Sequence, residues 1–193
     1  MRIEPPSRSA APETTGGERI EVHVAELKQL FDSMDPSPFR QRDLDPRAEE
    51  FIVSWAREAR RGAPLRLTVH ADHVPEAAHE AALGAAINDF FLYRARITRR
   101  RLRELFRIGR ISLVIGLVAL TIAFGLSNFL GNVLAGVGIA DLVQEGVLIG
   151  GWVAMWRPVE IFLYDWWPIR RDAHLYDRLG VMPVQIAAAG AAR

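Results

Sequence analysis

The feature that most constrains this chain is a run, residues 111–140, without one charged side chain, bounded by Arg110 and Asp141. Its first part, ISLVIGLVALTIAFGLSNFL (111–130), has no polar face. At a helical rise of ~1.5 Å per residue it spans about 30 Å, the thickness of a bilayer hydrocarbon core. A core helix of a soluble protein of that length would normally show a polar stripe. GNVLAGVG (131–138) follows, with glycines suited to a turn. IADLVQEGVLIGGWVAMW (139–156) is then just long enough to return. Asp141 and Glu145 fall in its first turns, near the far interface, where a carboxylate costs less than at the bilayer centre. The expectation is a transmembrane helical hairpin over 111–156.

Arginine sets the orientation. Arg94, Arg96, Arg99, Arg100, Arg101, Arg103, Arg107 and Arg110 precede the first span, Arg157, Arg170 and Arg171 follow the second, and the loop between has none. The positive-inside rule puts both flanks, and so both termini, in the cytoplasm. Trp152, Trp156, Tyr164, Trp166 and Trp167 cluster where the chain leaves the second span, as an aromatic belt would. Lys28 is the only lysine, so arginine is a habit of the whole chain and no single Arg is informative for not being Lys.

Helices in lipid associate through close contact, so small residues at spacing four matter. Ala119, Ala123, Ser127 and Gly131 form such a stripe on the first span, and Gly146, Gly150 and Ala154 on the second. The stripes suit packing across the hairpin, or one of them suits another subunit. Pro158 presents a choice. It starts a separate interfacial helix after Arg157, with Glu160 near that helix's positive end, or the span runs on to Tyr164. The boundary reading is preferred because it buries no charge; in the longer span Arg157 and Glu160, three apart, would pair inside the membrane.

Outside the hairpin the pattern is that of a small α/β domain. Residues 1–18 are rich in Pro, Ser, Ala and Gly with no apolar run, which reads as a disordered tail. IEVHV (20–24) and LRLTVHA (65–71) read as strands, and PVQIA (183–187) as a third. AELKQLFDSM (25–34) looks helical. A helix follows from Pro46 to about Arg60, with Asp45 as its N-cap. The longest helix starts at Pro75 and reaches at least Gly109, and IRRDAHLYDRL (169–179) forms another, stopped by Gly180. The expected fold class is α/β: a cytoplasmic domain over 19–110, joined by its long Arg-rich helix to the hairpin, with 157–193 returning a helix and a strand to the sheet. Helices would cover one sheet face.

The phrases FDSMDPSPFRQRDLDPRAEEFI (31–52), INDFFLYRARITRRRLREL (87–105) and GGWVAMWRPVEIFLYDWWPIRRDAHLYDRL (150–179) resemble a family of bacterial two-span inner-membrane proteins with no assigned function. The resemblance covers most of residues 20–187. It implies a bacterial inner-membrane location and carries over no active residue.

Chemistry is sparsely signalled. The chain has no cysteine, which excludes disulfides and thiolate catalysis. Net charge is +1, and the domain's many acids, with no aromatics interleaved in its arginine face, argue against nucleic acid. His70, Asp72, His73, Glu76, His79 and Glu80 crowd together, and His73, Glu76 and His79 are weak candidates for a metal, but they match no zinc spacing; solvated histidines and a charged helix start explain them as well. Arg96, Arg99, Arg100, Arg103, Arg107 and Arg110 share a helix face. The last three would lie near anionic headgroups. Arg96 and Arg99 stand roughly 16–21 Å further along the helix, beyond a Debye length of about 8 Å, and would pair with acids such as Asp43, Asp45, Glu49 or Glu50, or meet a partner. The loop carrying Phe39, Arg40, Arg42, Asp43 and Leu44 is a candidate partner surface, because Phe39 and Leu44 are apolar in polar surroundings.

The first expectation is therefore a non-catalytic anchor or accessory subunit, set in the lipid bilayer and docking a cytoplasmic protein or another copy, with no cofactor. The alternative is an oligomeric ion or small-solute transport component that uses Asp141, Glu145 and Glu160, which share one side of the second span with Trp152. A metal-dependent membrane enzyme ranks third.

Overall fold

The computed structural model describes residues 17–32, 43–60, 62–72, 77–133 and 138–188, with the side chains of 77–80 and 140 left aside. The tail expected over 1–18 lies almost wholly outside these residues. So do Phe39, Arg40 and Arg42 of the loop and His73, Glu76 and the His79 side chain of the histidine group. The chain divides into two compact units, one formed by 1–97 with 172–193 and the other by 98–171.

The first unit is built on a three-stranded sheet. Strand β1 (Glu18–Val24) pairs in parallel with β2 (Leu65–Ala71), and β2 in parallel with β3 (Val184–Ala188), in the order β1-β2-β3. The sheet therefore joins two strands from the N-terminal part to one from the C-terminal end, as the sequence leads one to expect. Parallel neighbours need a crossover, and helix α1 (Pro46–Glu58) supplies the first. It starts as its sequence dictates: Asp45 Oδ1 accepts from the Arg47 backbone N–H at 2.9 Å, and Pro46 takes the first helical position, where no N–H is needed. Gly62, at φ +86°, turns the chain toward β2.

Alternation along the strands sends Ile20, Val22, Val24, Leu67, Val69 and Ala71 to one face. That face meets Ile52 and Ala56 of α1, Leu83, Ile87 and Phe91 of α2 (Ala77–Val133), and Leu175 and Leu179 of α4 (Trp166–Gly180). Gly180 lies so close to Leu92 that a Cβ there would come within 2.7 Å of its Cδ2. The helix expected over 25–34 is reduced to one 3-10 turn, Leu27–Leu30. Phe31 instead bridges Leu44 in antiparallel fashion, with Asp32 N–H donating to the Asp43 carbonyl at 2.9 Å. Burying Leu30, Phe31 and Leu44 in the core outweighs helix propensity here.

The second unit is a helical hairpin. One arm is the C-terminal part of α2, which continues without a break to Val133. The other is α3 (Ala140–Glu160), a π-helical turn over Ile161–Asp165, and the start of α4. Two stretches, Ala81–Val133 and Asp141–Gly180, are long and apolar enough to cross a membrane. The expected boundary at Pro158 does not exist. Pro158 lies inside α3 and is fully buried. It has no N–H to give the Ala154 carbonyl four residues back, and that oxygen faces Gly116, 3.0 Å from where a Cβ would stand.

Candidate functional site

The hairpin contact can be followed residue by residue. Gly109 lies against Ile161 and Phe162, Gly116 against Ala154 and Met155, and Ala123 with Leu120 against Gly151. Near the turn, Ser127 Oγ donates to the Gln144 carbonyl at 3.3 Å, and Gln144 fills the space a side chain on Gly131 would need. A Cβ on Gly151 would come within 2.7 Å of the Ala123 Cβ. The arms are thus antiparallel and close because small residues face each other along one line. Of the first stripe, Ala123, Ser127 and Gly131 lie on this line, and Ala119 sits half-buried. On the second arm Ala154 belongs to it, but Gly146 and Gly150 do not: both are exposed, with open space where a Cβ would be. Gly151 takes the expected place of Gly150. A spacing of four does not fix which of two adjacent glycines faces inward; the rotation of α3 does.

The same register places the charges. Arg110 is next to Gly109, opposite Ile161, so Arg157 and Glu160 lie at about the level of the last arginines of the first arm. The longer helix and the unburied charge are therefore compatible. Arg157 Nη1 donates to Glu160 Oε2 at 3.2 Å and also lies 3.2 Å from Asp165 Oδ2, while Trp156 Nε1 donates to Glu160 Oε1 at 2.9 Å. The π-helical turn ends at Asp165, which completes this four-residue network. All three charged side chains keep at least a third of their surface exposed. At the opposite end of the hairpin Asp141 and Glu145 are exposed and form no ion pair among the described residues.

Below the network, aromatic rings join the arms. Phe106 meets Phe162 at 6.2 Å and Trp166 at 6.4 Å between centroids, Trp166 Nε1 donates to the Phe162 carbonyl at 2.9 Å, and the Arg170 guanidinium lies 5.6 Å from the Trp166 ring. Arg100, Arg103, Arg107 and Arg110 are exposed and form no ion pair among the described residues.

In the first unit, the acid of α1 expected to meet Arg96 or Arg99 is taken by Arg94, whose Nη2 pairs with Glu49 Oε2 and whose guanidinium lies 5.2 Å from the Phe90 ring. Arg96 instead lies over Tyr93, 5.9 Å from its ring centre. Arg57 Nη2 donates to Asp172 Oδ1 at 3.3 Å. Tyr176 stands among Glu49, Arg94, Asp172 and Arg57; burial, then the Glu49 charge, push its hydroxyl above the ordinary tyrosine value. Arg178 Nη2 donates to the Ala63 carbonyl at 2.7 Å, tying α4 to the loop before β2. Of this clamp the sequence singles out only Glu49, as a partner for a different arginine; Arg57, Arg94, Asp172 and Tyr176 have the look of solvated residues until the helices bring them together.

The second face of the sheet carries Glu21 and His23 of β1 beside Thr68 and His70 of β2. The two imidazoles stack at 4.4 Å, and His70 Nε2 is 3.9 Å from Glu21 Oε2. Burial, then the neighbouring His23, hold His70 below the ordinary histidine value, against a smaller opposing pull from Glu21. This pairing is a consequence of strand register, which the sequence pattern alone does not fix. Leu44, expected to be exposed in the partner loop, is buried in the core, and Asp43 serves the turn through its backbone. No family model, no curated protein and no solved structure matches the chain.

Proposed function

We propose that this chain is a two-pass protein of the bacterial inner membrane, a non-catalytic anchor or accessory subunit that holds its α/β unit at the cytoplasmic face for a protein partner. The observation that carries this reading is the inside-out surface of the hairpin. Phe124, Phe129, Ile115, Ile122, Trp152 and Trp156 are all more than 60% exposed, while Ala123, Ser127 and Gly151 are buried. The apolar windows of both arms are only 17% buried, unlike the core helix of a soluble protein. So large an apolar surface calls for lipid or for partners. The arginines at one end and the bare turn at the other support a cytoplasmic domain by the positive-inside rule.

The α/β unit supports the docking part. Its apolar residues close into a core of their own, and its helices present Arg57, Arg94, Asp172 and Tyr176 as an ordered polar surface rather than as loose charges. The test has two parts. Reporter fusions at the two termini and within residues 134–138 read topology: cytoplasmic termini with 134–138 external are expected, and cytoplasmic 134–138 overturns the reading. Crosslinking from native membranes, followed by exchange of residues 111–156 for an unrelated hairpin, then reads the anchor role. A stoichiometric partner retained after the exchange is expected.

Asp141 and Glu145, exposed and without an ion pair among the described residues, favour a second reading, a transport component assembled from several copies. Glu160 fits it less well, because its carboxylate is engaged by Arg157 and Trp156. Ion flux unchanged in Glu145→Gln would remove this reading.

A further inference from the structure

The arginines at the base of the hairpin are more than a topology signal. Residues 98–110 hold six arginines against one acid, Glu104. Arg103, Arg107 and Arg110 recur at helical spacing on one flank of α2, all exposed and all without an ion pair among the described residues. Residue Phe106, between them, is held against Phe162 and Trp166, so this stretch of α2 is fixed in rotation by packing. Trp166 in turn carries the Arg170 guanidinium at 5.6 Å, and Trp167 and Tyr164 beside it are exposed. A fixed row of unneutralised guanidiniums, backed by aromatic rings, lies where the apolar surface of the hairpin ends. The depth fits as well. Arg107 is ~4.5 Å and Arg103 ~10.5 Å along the helix from Arg110, the span of a headgroup layer plus a fraction of the ~8 Å Debye length.

From this arrangement, and resting on the membrane reading above, we infer that Arg103, Arg107, Arg110 and Arg170 form a binding site for anionic phospholipid headgroups. Guanidinium presents a planar fork of donors that matches two phosphate oxygens, and it stays charged at every physiological pH. The nearby Arg157 is a poor member of the site, because Glu160 and Asp165 already neutralise it. The contrast between a neutralised Arg157 and its unneutralised neighbours argues for a ligand rather than for charge alone. A phosphodiester backbone such as RNA would satisfy the same donors. A lipid surface is favoured because the aromatic side chains here sit beside a continuous apolar surface, not interleaved with the arginines for base stacking.

The full chain, purified in mild detergent and reconstituted into vesicles of equal parts phosphatidylglycerol and phosphatidylcholine, tests this. Flotation after a carbonate wash first reads insertion; protein that fails to float overturns the membrane reading itself. From floated protein, re-extraction in mild detergent followed by mass spectrometry reads the retained lipid. Retained phosphatidylglycerol is expected to exceed phosphatidylcholine, with the preference falling about fivefold per arginine replaced, on the scale of juxtamembrane basic residues. Arg103→Gln with Arg107→Gln should bring the ratio close to the input mixture, while Arg66→Gln in the α/β unit leaves it unchanged. Where the Gln pair hinders insertion, Arg103→Lys with Arg107→Lys keeps the charge, inserts, and should still weaken the preference by losing the two-oxygen fit. Floated wild-type protein that retains lipid in the input ratio overturns the inference while the membrane reading stands. Tight binding of an RNA oligonucleotide through the same arginines, without lipid preference, overturns it as well.

Discussion

The two units of this chain use the same amino acids in opposite ways. In the α/β unit Phe91, Ile52 and Leu67 are fully buried, and the charged residues face out in pairs such as Arg57 with Asp172. In the hairpin the interior line is Gly116, Ala123, Ser127 and Gly151, and the exterior is Phe124, Phe129, Val153 and Trp156. Water explains the first arrangement, because burying a large apolar side chain is worth roughly 1.5–3 kcal/mol there. It cannot explain the second. Where the surroundings are as apolar as the side chain, nothing is gained by hiding Phe, and the gain left is close contact between backbones, which small residues allow. Size inside one unit and smallness inside the other are what the proposed membrane hairpin requires of one continuous helix, α2.

The sharpest way to break this comparison is to remove a phenyl ring from each unit. Phe91→Ala should destabilise the α/β unit by about 3–5 kcal/mol, whereas Phe124→Ala should cost well under about 1 kcal/mol in a bilayer. Denaturant unfolding of the full chain in lipid discs, followed by amide exchange in each unit, checks both; equal costs would mean that the hairpin is a water-facing core after all. The glycines provide the converse. Gly151→Leu should overpack the arms against Ala123 and Leu120 and cost about 1–3 kcal/mol, while Gly150→Leu, one residue away, should be near neutral. A cost at Gly150 comparable to that at Gly151 would show that another chain covers the outer face.

A smaller effect is expected at the polar clamp. Arg94→Met leaves Glu49 largely buried without its partner and should cost about 1–2 kcal/mol, discounted because the arginine is partly exposed. A double-mutant cycle with Glu49→Gln should recover most of that loss. The smallest effect is the pH response of the sheet. Burial, then His23, lower the His70 value in the folded chain, so folding favours the neutral imidazole. Its contribution is full above the unfolded value of about 6.5 and is lost as the pH falls from there toward the lower folded value. Amide exchange in β1 and β2 should therefore speed up between neutral and mildly acidic pH, and His70→Gln should flatten that dependence.

Much of the architecture could be read ahead because its cause is local. The two long apolar stretches, the Asp45 cap and the three strands follow from periodicity and turn residues. What could not be read has a nonlocal cause. The short 3-10 turn at Leu27–Leu30 replaces a helix because Phe31 finds Leu44. Of the candidate residues, Ala123, Ser127, Gly131 and Ala154 lie on the hairpin contact and Arg157 pairs with Glu160, but Gly146 and Gly150 face away.

The sequence by itself determined where this chain is long and apolar enough to cross a membrane, since residues 111–140 hold no charged side chain. It also determined which end of that stretch carries the arginines. Only the tertiary structure decided which faces meet. The rotation of α3 chose Gly151 over Gly150, the continuation through Pro158 brought Glu160 and Asp165 to Arg157, and strand register set His23 against His70. Composition acts on each residue alone, whereas a helix rotation or a strand register is fixed by all the contacts along an element at once.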